Sequence, residues 1–83
     1  MEIKVLGPGC QNCVTLNRIV LETVSALGID AVVTKVEDYP TIASYGVLST
    51  PGLVINERLV MSGRVPTPEQ VRALISAEND LLQ

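Results

Sequence analysis

The tetrad Cys10-Gln11-Asn12-Cys13 constrains this chain more than any other feature, because of what lies on either side of it. Ahead of it, Glu2 to Leu6 reads as a short strand, with Ile3 and Val5 as its β-branched core residues, ended by Gly7-Pro8-Gly9. From Cys10 onward the pattern turns helical. Cys13, Leu16, Val20, Val24 and Leu27 recur at spacings of three and four, and Gly28 supplies a stop. Asn12, Thr15, Arg18, Glu22 and Ser25 fall largely on the opposite side. A cysteine pair is thereby predicted at a strand-to-helix junction, in the first turn of a helix.

The remaining segments complete one layered domain. Ala31 to Val36 is a second strand, so strand, helix and strand form a unit with parallel strands and a right-handed connection. Tyr39 to Tyr45 is a short helix, with Pro40 in its first turn and Gly46 at its end. Leu53 to Asn56 and Arg58 to Ser62 are strands around an Asn56-Glu57 turn, where Asn tolerates positive φ although a type I′ turn favours Gly second. Thr67 is the N-cap and Pro68 the first residue of a last helix, running to Ala77 with Val71, Leu74 and Ile75 on its apolar face. Glu78 to Gln83 is expected to fray. The predicted order is β-α-β-α-β-β-α, an α/β fold with a four-stranded mixed sheet in a single domain spanning residues 1–83.

Composition narrows the chemistry. The chain is 47% apolar, yet Tyr39 and Tyr45 are its only aromatic residues, so the core must be aliphatic. The formal charge is −3, without basic clusters or stacking aromatics, which argues against nucleic acid and against anionic lipid as partners. There is no His, which removes Cys–His and Ser–His hydrolysis and the usual nitrogen metal ligand. Met1-Glu2-Ile3-Lys4 offers no basic leader, and no segment approaches the roughly 20 apolar residues that span a bilayer. The expected location is cytoplasmic, where two cysteines are expected to be reactive or metal-binding.

The spacing supports the reactive option. Cysteines three apart in a first helical turn can bring their sulfurs within disulfide reach. Cys10 would sit at the helix N-terminus, where free N–H groups and the dipole stabilise an anion. Such an environment lowers a thiol pKa from about 8.5 to around 7 or below, and the thiolate is the nucleophile of disulfide exchange. Cys13, one turn further in, would be more buried and would resolve the mixed disulfide. The plain alternative is a pair of core cysteines. Ser49-Thr50-Pro51-Gly52 stands just before the third strand, where Pro cannot join a ladder. A cis Thr50–Pro51 bond there would turn the Thr50 backbone toward the sulfurs.

Taken together, Gly7-Pro8-Gly9-Cys10-Gln11-Asn12-Cys13, Thr50-Pro51-Gly52 and Ser62-Gly63-Arg64-Val65 resemble the thioredoxin-like superfamily, in particular its small microbial redox-active disulfide proteins. The resemblance covers nearly the whole chain. It implies a thiol–disulfide oxidoreductase with Cys10 as nucleophile and Cys13 as resolving thiol, joined as a disulfide in the oxidised form. It also implies Thr50 and cis-Pro51 as the substrate-docking edge, and Gly63 as a point of close packing on the hairpin. Gly7 and Gly9, on either side of Pro8, are expected to permit a tight loop and let a substrate backbone come close to Cys10, which adds Gly9 to that edge. No cofactor beyond the disulfide and no metal is implied. The implied partners are protein or small-molecule disulfide clients and a flavoprotein reductase as electron donor.

Three departures and two rivals stand beside it. Thioredoxins place Trp before the first Cys and Gly-Pro between the two, whereas Gly9 and Gln11-Asn12 stand here. They also carry a buried acid on the first core strand. Counting back six residues from Cys10 puts Lys4 at that place, and a strand-end lysine is expected to keep its ammonium in water. The motif lacks the Tyr and basic residues that glutaredoxins use for glutathione. The first rival is a copper or zinc chaperone using the same CxxC, as in heavy-metal-associated domains, which run β-α-β-β-α-β and end on a strand. The second is an interaction module that keeps the fold without the chemistry. Arg58 and Arg64 read as solvated charges, Glu37-Asp38 as a surface turn, Met61 as core, and Tyr39 and Tyr45 as packing the short helix onto the sheet.

Overall fold

A computed structural model describes residues 1–81 of the chain. The elements follow the predicted order: β1 (Glu2–Leu6), α1 (Gln11–Leu27), β2 (Val32–Val36), α2 (Tyr39–Ser44), β3 (Gly52–Ile55), β4 (Arg58–Ser62) and α3 (Pro68–Leu81). The sheet order is β2-β1-β3-β4. β1 pairs in parallel with β2 and antiparallel with β3, and β3 pairs antiparallel with β4, so the sheet is mixed. Closing on α3 separates this order from the heavy-metal-associated one.

Strand alternation divides the core into two layers, because successive side chains of a strand point to opposite faces. Ile3 and Val5 of β1 and Leu53 and Ile55 of β3 pack under α1 and α3 with Leu16, Val20, Val24, Val71 and Ile75. Leu6 and Val54 face the other way and pack with Ile42 of α2 and with Val47. Tyr45 closes that second layer from the end of α2. Tyr39, by contrast, is exposed and does not pack the helix onto the sheet. Met61 is only partly buried against the first layer.

Local capping accounts for where the helices begin and end. Gly28 is the C-cap of α1, its N–H donating to the Ser25 carbonyl at 3.2 Å. Asp38, expected only in a surface turn, is the N-cap of α2 and accepts from the Thr41 N–H at 3.1 Å. Thr67 and Gln70 satisfy each other at the start of α3: Thr67 Oγ1 accepts from the Gln70 N–H, and Gln70 Oε1 accepts from the Thr67 N–H.

Two expectations are corrected here. The last helix does not stop at Ala77 but continues through Glu78 to Leu81. Glu78 is buried and meets Arg58 at 3.3 Å, so Arg58, a hairpin-end charge that stays 67% exposed, also pairs with the end of α3. Leu82 and Gln83, the remainder of the segment expected to fray, lie outside the described residues. Gly63 is the second. A Cβ there would meet Ser49 Cβ at 3.6 Å, an ordinary contact, whereas its φ of +85° is what disfavours any L side chain. Backbone conformation, not close packing, requires glycine at this hairpin end.

Candidate redox site

β1, a central strand, ends at Leu6, and Gly7 anchors the next turn by donating its N–H to the Val36 carbonyl at 2.9 Å. Gly9 follows with φ +88° and open space around it, which leaves its backbone approachable beside Cys10. Cys10 is then the N-cap of α1, extended at φ −66° and ψ 167°. Its carbonyl accepts from the Val14 N–H at 2.9 Å, and its Sγ accepts from the Cys13 N–H at 3.3 Å. The sulfur thus occupies the place usually taken by a capping oxygen. No acidic side chain stands in the first turn of α1 to oppose a negative charge there.

Cys10 and Cys13 are joined as a disulfide, with their Cα atoms 5.0 Å apart. The two sulfurs differ sharply in access. Cys10 is exposed, whereas Cys13 is 5% exposed and packs into the body of the protein. Behind Cys13 lies Gly7, itself buried, so close that an added Cβ would collide with Cys13 Sγ. The same hypothetical Cβ would lie 3.1 Å from Cys13 Cβ and 3.7 Å from Thr50 Cβ, which brings Thr50 to the same spot. The Thr50–Pro51 bond is cis, Pro51 is buried, and its carbonyl accepts from the Gly63 N–H at 2.9 Å. Gly9, Cys10, Cys13, Thr50 and Pro51 therefore lie at one end of the sheet.

Lys4 does not. Being one residue out of phase with Ile3 and Val5, it points to the α2 face, where its register partner is Val54. Its Nζ donates to the Tyr45 hydroxyl at 2.7 Å and to Glu57 Oε1 at 2.5 Å, with Glu2 at 3.2 Å. The ammonium is held in a network and is not simply a strand-end charge in water. Val5 is the β1 residue beside Cys13, lining a small cavity with Gly7, Gly9, Cys13, Val14, Lys35 and Glu37. Counting from the cysteine missed this because the loop length decides the offset; strand alternation was the signal that could have found it.

The Lys4 network also explains an unfavourable turn. Asn56 and Glu57 both have positive φ, 51° and 67°, as a type I′ turn demands, and Glu pays a strain there that Gly would not. Glu57 is held in place by Lys4 and by the Tyr45 hydroxyl, which donates to its Oε2 at 2.7 Å. Asn56 Oδ1 accepts from the Glu2 N–H at 3.0 Å. The hydrogen bonds from Lys4 and then Tyr45 hold the Glu57 carboxyl below its ordinary range, and Glu57 first, then Tyr45, holds Lys4 above its own. A carboxylate depressed on folding stabilises the protein above its ordinary titration range, and that contribution is lost as pH falls through the folded-state value. A raised lysine contributes below its ordinary range and loses that contribution only in strong alkali. Lys4→Met is therefore expected to lose less stability than the parent when both are taken from pH 6 to pH 3 in urea. Equal losses would remove the network from the account.

No helix among the described residues is long and apolar enough to cross a membrane. Among the described residues there is also no group of three or more Cys, Asp or Glu side chains placed to share a metal ion. Comparison with known proteins agrees with the geometry. The family model described as a thioredoxin domain matches residues 1–76. A thioredoxin of Methanothermobacter thermautotrophicus is 36% identical over 76 residues, covering 92% of this chain and 99% of that protein. A thioredoxin of Methanocaldococcus jannaschii is 36% identical over 70 residues, covering 84% of this chain and 80% of that one. With a domain match over most of its length, two such relatives and a cysteine pair closed at a helix start, the chain belongs to the thioredoxin family, whose members are protein-disulfide oxidoreductases.

Proposed function

We propose that this chain exchanges electrons with disulfides of protein clients, using Cys10 as the attacking thiolate and Cys13 as the resolving thiol. The observation that carries this reading is the position of Cys10 Sγ: exposed, at the N-cap of α1, and 3.3 Å from the Cys13 N–H. A helix of 17 residues presents its full end dipole there, and an N–H already aimed at the sulfur favours its charged form.

In the reduced protein the Cys10 thiolate attacks one sulfur of a client disulfide. A Cys10–client bond forms, and the second client sulfur leaves as a thiolate that takes a proton from solvent. Cys13 then attacks Cys10, closing the internal disulfide and releasing the first client sulfur. Two electrons pass to the client and the cysteine pair is oxidised. Gly9 beside the exposed sulfur and Thr50 near Cys13 offer the backbone on which an extended client segment docks, with cis-Pro51 fixing how Thr50 is turned. The disulfide is the only redox group required. A flavoprotein reductase returns the electrons, residues 1–83 act as one domain, and the setting is the cytoplasm.

Rates of iodoacetamide alkylation of the reduced protein, followed across pH, test the premise. Cys10 is expected to react as a thiolate at pH values well below the free-cysteine pKa of about 8.5. A profile matching free cysteine would sink the reading.

A further inference from the structure

The docking backbone at Thr50 lies to one side of the cysteine pair, and strand order says which. The chain leaves β1 for Cys10, and in the order β2-β1-β3-β4 the ends of β3 and then β4 lie on one side of that exit, with β2 on the other. Thr50 leads into β3, so a client segment laid along it passes the end of β4. Contacts across this side are continuous. A Cβ on Gly7 would lie 3.7 Å from Thr50 Cβ, and one on Gly63 would lie 3.6 Å from Ser49 Cβ. The Gly63 N–H donates to the Pro51 carbonyl at 2.9 Å, so Arg64 follows directly on a residue pinned to the cis-proline loop.

Two exposed side chains stand on this rim, on backbone that is held. Leu48 is 100% exposed, although its neighbour Val47 is buried and Pro51 is fully buried. Arg64 is exposed, with the fully buried Pro66 two residues on. Lys4, Arg18 and Arg58 each meet a carboxylate, whereas Arg64 meets none among the described residues. It is also the only charged residue in the three segments that make the rim, residues 7–14, 46–52 and 62–67. Lys35, Glu37 and Asp38 stand at or just after the end of β2, on the far side. Glu69 and Arg72 of α3 face residues 19–27 of α1, away from Cys10. The docking side is therefore locally positive, on a chain whose net charge is −3.

We infer that Leu48 and Arg64 select the client: a disulfide in an extended segment with an apolar residue to cover Leu48 and an acidic residue to pair with Arg64. The inference deepens the proposed use of Cys10 and rests on it. Two strand-to-strand steps of about 4.8 Å separate β1 from β4, roughly the length of three extended residues, which places the client acid about three positions from its cysteine. A guanidinium takes a carboxylate in a two-point contact, and covering a leucine that water now surrounds is favourable in itself.

Disulfide-linked dimers of a short peptide test the assignment, each strand carrying one Cys, a Leu beside it, and Glu, Gln or Lys three residues away. Reduced protein is mixed with each dimer and quenched in acid, and the released peptide thiol is measured by mass spectrometry. Dividing each rate by that of dithiothreitol on the same dimer removes the peptide's own reactivity. The parent is expected to reduce the Glu peptide about fivefold faster than the Lys peptide, one exposed pair gained and one repulsion avoided. Added salt should narrow the gap. A net charge of −3 favours the Lys peptide at long range, so an acidic preference requires a local cation. Arg64→Glu should reverse the order and Arg64→Lys should keep it. Leu48→Ser should slow all three peptides alike, by about fivefold, without changing their order. Equal rates for the three peptides, or an order that Arg64→Glu leaves in place, would overturn the charge selection. Peptides not slowed by Leu48→Ser would overturn the apolar contact. Hydroxyethyl disulfide, neutral and too small to reach β4, tells the two readings apart. A parent that reduces neither it nor any peptide overturns the functional reading and this inference with it; one that reduces it but shows no preference among peptides overturns the inference alone.

Discussion

Cys10→Ser is expected to abolish insulin reduction, with turnover falling by a factor on the order of 10³ or more, as when other enzymes lose a nucleophile. The exposed sulfur at the N-cap of α1 is the one a client disulfide can reach, and a serine hydroxyl there stays protonated at neutral pH. Cys13→Ser should behave differently. Its Cys10 still attacks, but no second thiol frees the client, so a stable mixed disulfide accumulates and non-reducing gels or intact mass spectrometry would reveal it. The asymmetry follows from access: 5% exposure leaves Cys13 able to reach Cys10 but not a bulky client. Equal trapping by Cys10→Ser would reverse the two roles.

Gly7→Ala is expected to have the second-largest effect, although glycine and alanine differ by one methyl group. An added Cβ would collide with Cys13 Sγ and crowd Cys13 Cβ at 3.1 Å. Neither atom is the free end of a flexible side chain while the disulfide is closed. Overpacking of this kind costs about 1–3 kcal/mol, and a domain of this size loses roughly 4–8 °C of Tm per kcal/mol. Reduction frees the Cys13 side chain to rotate away, so the oxidised form should lose more stability than the reduced form. Linkage then requires the reduction potential to rise, by about 30 mV for each 1.4 kcal/mol of difference. Thermal melts of both forms, with equilibration against a glutathione buffer, check the prediction. Equal destabilisation of the two forms with an unmoved potential would refute it.

Both effects centre on positions whose importance was unevenly visible beforehand. Cys10 announced itself, because a strand ending in Gly7-Pro8-Gly9 and a run of apolar residues three and four apart bracket it within a few residues. The elements were legible for the same reason: Gly28, Pro68 and Thr67 act on their nearest neighbours along the chain. Glu57 shows the limit of that reasoning. Glycine suits the second position of its turn, and the interaction that holds a glutamate at φ 67° comes from Lys4 and Tyr45, remote in sequence. The end of α3 shows it again, since Glu78 stays helical while paired to Arg58 on another element.

Gly7 and Lys4 show the same limit. The pattern around Gly7 suggested a loop that lets a client approach, and its tight contact with Cys13 Sγ depends on how closely α1 settles against the end of β1. Lys4 was placed by counting residues back from Cys10. Which face of β1 it occupies depends on parity, and a one-residue change in loop length inverts the answer.

The amino-acid sequence alone determined the order of elements, the helix start at Cys10 and the reactive pair, because periodicity, caps and turns act over a few neighbouring residues. The surroundings of the second cysteine were settled only by the tertiary structure. Gly7 at the end of β1 and Thr50 before β3 come together at Cys13, and Val5, Lys35 and Glu37 line the small pocket beside it. Sheet order, register and side-chain parity bring them there, and those are properties of the assembled sheet rather than of any one stretch of chain.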